Sequence, residues 1–280
     1  MKTSVLVTTI LAFALSGCVT VPIERAQGVS ASGKQYVETL KKVNDLALDE
    51  SIQFSANLLP ELPRTDAILM STTDDIKQRA QLIGQAHAYY DALATYFAEL
   101  EALANGDQSE STATALSKVA DSLKAQPVAL ELSDEKKKAL TGLAGFVAKE
   151  VHAAAVEKAL VRDADTVAQA LAVSEQMLDE QIRWISVREK AERERKFDRG
   201  VKTPFISKKE LGSDWKNSWS SYVRTAPVIA LLIDAKKAST EMQKSWVNIL
   251  RAQYSHAETL AALKKVKEGL EAISALHNAK

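Results

Sequence analysis

One cysteine, Cys18, in 280 residues excludes an intramolecular disulfide, so the fold must be held by its core alone. Ten glycines and six prolines leave few natural breaks in the chain. Charge of one sign is missing too: 36 basic residues stand against 36 acidic ones. That balance removes the electrostatic argument for a nucleic-acid partner or an acidic lipid surface. No apolar run reaches the roughly 20 residues that cross a bilayer. The four histidines, His87, His152, His256 and His277, lie far apart, and none has Glu three residues before it. The Glu-x-x-His pairing by which helical bundles hold metals is therefore missing, and no metal or other cofactor is expected. No G-x-S-x-G occurs either, so no catalytic constellation is found and the chain is read as a non-enzyme.

What is present is helix composition, rich in Ala, Leu, Lys and Glu. A first helix is expected from about Lys34 to Leu59, ended by Pro60 and Pro63, which lack the N–H that a helix interior needs. A second is expected from about Thr73 to Asn105, because Ile76, Ala80, Ile83, Tyr90, Leu93, Phe97, Leu100 and Ala104 alternate by threes and fours and form one apolar seam. A short turn at Asp66–Met70 precedes it, and Asn105-Gly106 closes it. A third helix spans about Glu110 to Ala125. Ser133-Asp134-Glu135 opens a fourth, which runs to Arg199 either unbroken or with a break near Arg162–Thr166. Ser207-Lys208-Lys209-Glu210 reads as a capping box opening a helix to Val223. Pro227 suits the first turn of the next helix, to about Gln253, and Ser255 to Glu258 reads as a second capping box before the last. The expected fold is all-α: an elongated antiparallel bundle of long helices with coiled-coil-like packing over residues 34–280, with a subdivision near 127–133.

The start of the chain has a different character. Lys2 precedes an apolar stretch, Val5 to Leu15, and small residues lead to Cys18. This is the pattern of an exported signal and is too short for a membrane span. Leu15-Ser16-Gly17-Cys18 resembles the lipobox of bacterial lipoproteins. The resemblance implies cleavage after residue 17, a signal peptide over 1–17 and acyl chains on Cys18. Two or more such chains anchor firmly to a membrane. By the same resemblance Val19, rather than Asp, after the cysteine points to the outer membrane of a Gram-negative host, with the body facing the periplasm. Residues 18–33, with Pro22, Gly28 and Gly33, are read as a lipidated tether.

Two other motifs fail on their context. Gly28 to Lys34 has the G-x-x-x-x-G-K spacing of a phosphate-binding loop, but Gln35 stands where Ser or Thr would hold Mg²⁺ and no strand precedes it. Ser133 to Lys136 matches S-x-x-K without the companion elements of penicillin-binding enzymes. The run Arg188 to Arg199 alternates sign, as a solvated helix end does.

Trp215, Trp219 and Tyr222 recur at helical spacing. A core stripe is the simpler expectation. The alternative is a partner-binding face, because Trp and Tyr suit interfaces. The functional expectation is a lipid-anchored cell-envelope protein that acts as a non-enzymatic interaction or scaffold module for another envelope protein. Two alternatives remain open: a helical-bundle binder of a small ligand, peptide or glycan, and an enzyme with an unrecognised site.

Overall fold

The computed structural model describes residues 20–107, 111–125, 151–207, 210–224, 227–250 and 256–278. The fold is all-α, and no strand occurs among the described residues. The signal stretch, Cys18 and the expected helix start at Ser133 lie outside them. No helix among the described residues is long and apolar enough to cross a membrane.

Helix α1, Thr20–Leu58, begins well before the expected Lys34. The tether reading of residues 18–33 is thus corrected from Thr20 onward. Gly28 and Gly33 mislead because they look like loop residues. In the fold they are contact residues: a Cβ on Gly28 would lie 2.9 Å from Leu263 Cδ1, and one on Gly33 only 2.6 Å from the Phe97 ring. Helices can approach this closely only where a side chain is missing. Ala26, Val29 and Ser30 have no exposed surface, as an amphipathic helix requires and a tether does not.

A 3₁₀ turn, Leu59–Glu61, carries Pro60 and ends α1. Helix α2 is Asp66–Ala104, one element where a turn and a later helix were expected. Thr65 caps it, its Oγ1 accepting the Ile68 N–H at 3.3 Å. Ile83, Tyr90, Leu93, Phe97, Leu100 and Ala104 of the expected seam are buried, whereas Ala80 is exposed. Gly106, at φ +107°, takes the left-handed conformation that closes the helix.

Helix α3, Ser111–Lys124, buries Thr112, Ala115 and Val119. Helix α4, Val151–Phe197, is unbroken across Arg162–Thr166 because Asp163, Ala164 and Val167 all face the core. A π-turn, Asp198–Lys202, and a last α-turn, Thr203–Ile206, extend it. Helix α5, Ser213–Val223, starts at Gly212 and not at the expected capping box. Ser207 ends the preceding turn, its hydroxyl donating to the Pro204 carbonyl at 3.1 Å. Helix α6 is Pro227–Leu250, with Pro227 at its first position as expected, and α7 is His256–Asn278.

The described residues group into two compact units whose divisions fall inside α1, α2, α4 and α6. The first draws on the described residues within Met1–Lys41, Gln85–Gln176 and Lys237–Lys280. In it α1 runs antiparallel to α2, with Gln27 bonded to Asn105 at 2.7 Å and Lys41 paired with Asp91 at 2.7 Å. Its core centres on Tyr96, Phe97 and Trp246, which meet edge to face at 5.6–6.5 Å. Trp246 Nε1 donates to the Ala164 carbonyl at 3.0 Å, so this large ring is buried without an unmet donor.

The second unit comprises Lys42–Gly84 and Met177–Lys236. Here α1 runs parallel to α4: Asn44 meets Gln181, and thirteen residues on Asn57 donates to Glu192 at 3.2 Å. Leu178, Ile185, Val228, Leu231 and Leu232 fill its core.

Candidate functional site

The end of α4 and the whole of α5, within the second unit, gather the residues with most to offer a partner. The charged run on α4 first supports its own helix. Glu189 pairs with Arg193 at 3.7 Å and Glu192 with Lys196 at 2.5 Å, each four residues apart on one face. Arg195 and Arg199 both reach Glu61, at 3.1 and 2.8 Å, tying the turn after α1 to α4. The run is therefore partly committed to the fold and is not wholly a solvated end.

Past Phe197 the π-turn brings Val201 into the core. The Val201 carbonyl accepts the Trp215 indole N–H at 3.0 Å and so fixes that ring. Phe205 stacks on Trp215 with centroids 5.9 Å apart, and Trp215 on Trp219 at 6.4 Å. The expectation of a core stripe is overturned, since α5 has no buried residue. Trp219 is 48% exposed and Phe205 60%, with Ile206 and Val223 also exposed. An apolar group of this kind is unusual on a surface that covers nothing.

The structure separates Tyr222 from the two tryptophans. Its ring lies 4.3 Å from Phe197, and its carbonyl accepts from the Arg193 guanidinium. Beside it α4, the π-turn and α5 flank an open cavity of about 460 Å³. Arg193, Lys196 and Arg199 line one side, Asn217, Ser218 and Ser221 the other, and Phe197 and Tyr222 supply apolar surface. Gly200 allows the close approach, since a Cβ there would lie 3.1 Å from Ser218 Oγ. No carboxylate lines the cavity. Sequence reasoning did not find it, because its two walls are brought together by the fold and neither is marked alone.

Two guanidinium groups also crowd Trp184 in this unit. Arg79 lies 3.1 Å and Arg188 3.7 Å from the ring centroid. Burial lowers both from the ordinary arginine range, Arg79 to about 10, with Arg188 adding repulsion and Asp75 opposing it. Arg79 therefore stays charged at neutral pH.

In the first unit Tyr36 and Tyr89 are fully buried in a hydroxyl network. Tyr36 shares a hydrogen bond with Ser239 at 2.5 Å, and Tyr89 donates to the Ala170 carbonyl. Burial pushes both phenols well above their ordinary value. Both are closed off from solvent, and at neutral pH they keep their protons and carry no charge. Thr240 and Gln243 donate to the nearby Glu175 at 2.7 and 2.8 Å, which joins α6 to α4. These groups have partners within the fold and read as packing. Among the described residues no cluster of three His, Cys, Asp or Glu side chains is placed to hold a metal ion.

No protein-family model matches the chain, and no curated protein or solved structure is significantly similar to it.

Proposed function

We propose that the chain is a lipid-anchored cell-envelope protein, fixed at Cys18, that acts as a non-enzymatic interaction module for another envelope protein. The observation that carries the reading is the stacked, exposed group Phe205, Trp215 and Trp219. Aromatic anchors of this size supply much of the binding free energy where proteins meet. The central ring, Trp215, is already fixed by the Val201 carbonyl, so little side-chain freedom has to be lost on docking. The partner surface that fits is an apolar pocket or helix face with a polar rim. The lipobox-like Leu15 to Cys18 supports the anchor.

Crosslinking in living cells tests the docking face. A photoreactive residue replaces Trp219 in the full chain, with Leu82, an exposed residue on α2, as the control position. The expected result is one dominant protein captured from 219 and not from 82. Capture of lipid instead, or the same products from both positions, overturns the protein-docking reading. For the anchor, cells are fed an alkyne fatty acid. Label on the wild type that disappears in Cys18→Ala is expected, and unlabelled wild type refutes lipidation.

A further inference from the structure

We infer that the cavity between the end of α4 and α5 is a binding site for a small molecule that carries a phosphate or carboxylate on a flat ring. This goes beyond the docking face and stands without it. The cavity volume, about 460 Å³, lies within the range of small-ligand pockets. Its charge is one-sided: three basic side chains line it and no acid does. Each already has a carboxylate partner outside the cavity, Glu189 for Arg193, Glu192 for Lys196 and Glu61 for Arg199, but the Lys196 and Arg199 side chains are 67% exposed. A lysine has three N–H donors and an arginine five, more than one carboxylate uses, so a bound anion can share these cations without breaking either pair.

The remaining walls match the rest of such a ligand. Asn217, Ser218 and Ser221 lie on one side of α5 and can bond hydroxyl or phosphate oxygens. Phe197 and Tyr222, with planes 31° apart, form an apolar surface against which a ring can lie. Arg193, held over the Tyr222 ring at 5.5 Å and bonded to the Tyr222 carbonyl, keeps the two walls in place. The π-turn is the local irregularity that puts Gly200 opposite Ser218 and leaves room for the cavity. Such turns in long helices are often found at functional sites.

Phenyl phosphate is the probe, titrated calorimetrically into the full-length protein, with phenol and inorganic phosphate titrated separately. Saturable binding of one phenyl phosphate per chain is expected, tighter than that of either part alone. Lys196→Gln and Arg199→Gln should each weaken it at least about threefold, a loss suited to an exposed charge-assisted contact. Lys190→Gln, exposed and outside the cavity, should leave it unchanged. Ser221→Phe fills the cavity without altering any charge and should abolish binding. Ser221 is exposed, and helical circular dichroism checks that this variant folds. Absence of saturable binding at millimolar probe overturns the inference, as does equal weakening by Lys190→Gln or full binding by Ser221→Phe.

Discussion

The indole rings of Trp215 and Trp219, one turn apart on α5, lie within 7° of parallel. Only Trp215 is fixed by a hydrogen bond, to the Val201 carbonyl, and only Trp219 is largely open to solvent. Their contributions therefore separate. Trp219→Ala should change unfolding free energy by less than about 1 kcal/mol, because a half-exposed surface residue has little to lose. Trp215→Ala loses the stack on both sides and the indole hydrogen bond, and should cost about 1–3 kcal/mol. Urea unfolding of the two variants checks the difference. Equal losses would mean that Trp219 is a structural residue and would weaken the docking reading.

Gly33 and Gly84 should respond to alanine with opposite signs. An added Cβ at Gly33 would meet the Phe97 ring at 2.6 Å, while one at Gly84 meets nothing within 4 Å. Overpacking at Gly33 is expected to cost about 1–3 kcal/mol, less the gain in helix propensity. Gly84, exposed in the middle of α2, should gain about 0.5–1 kcal/mol. Thermal and urea unfolding midpoints report both.

Gly33 also marks a limit of what was legible in the sequence. Local chemistry showed itself plainly: Pro60 ends α1, Asn105-Gly106 ends α2 and Pro227 opens α6. The seam from Ile83 to Ala104 could be read from its spacing alone. Gly28 and Gly33 were misread because their role depends on Leu263 and Phe97, far away in the chain. A capping box at Ser207 competes with the helix already running through Ile206, and loses to it. At the candidate site, the aromatic spacing of α5 was visible, but which side faces solvent was not. The cavity needed Arg193 and Ser221, 28 positions apart, on its two facing walls, and no local pattern records that.

Trp246 should be the costliest core residue to truncate. It is fully buried, meets Tyr96 and Phe97, and its N–H donates to the Ala164 carbonyl. Trp246→Ala is expected to lose about 3–5 kcal/mol. Trp246→Phe should lose less, since it keeps most of the contact and gives up mainly the hydrogen bond. Calorimetric unfolding distinguishes the two, and an alanine variant as stable as wild type would contradict this packing.

Asp163 should contribute a pH dependence whose sign follows from its burial. Its side chain has no exposed surface, and burial raises its pKa, with the Arg162 guanidinium and the Tyr96 hydroxyl acting the other way. The unfolded chain loses this proton near the ordinary value of 3.8, the folded one only at higher pH. Ionisation thus favours unfolding, and stability should fall as pH rises from about 4 through the folded pKa, then level off. Asp163→Asn removes that slope. Urea unfolding of both proteins from pH 3 to 7 should show wild type losing ground to the variant as pH rises, and a constant difference would contradict the assignment.

The π-turn at Asp198–Lys202 holds one residue more than a regular helix would place there. Deleting Gly200 would remove that extra residue and let the turn close into regular helix, so the segment beyond it would keep its direction. Phe205 would still face Trp215, whereas the backbone opposite Ser218 would be drawn in and the room beside it lost. The aromatic stack and the cavity thus answer differently to one lost codon: the first keeps its setting, the second is taken up like the slack in a rope.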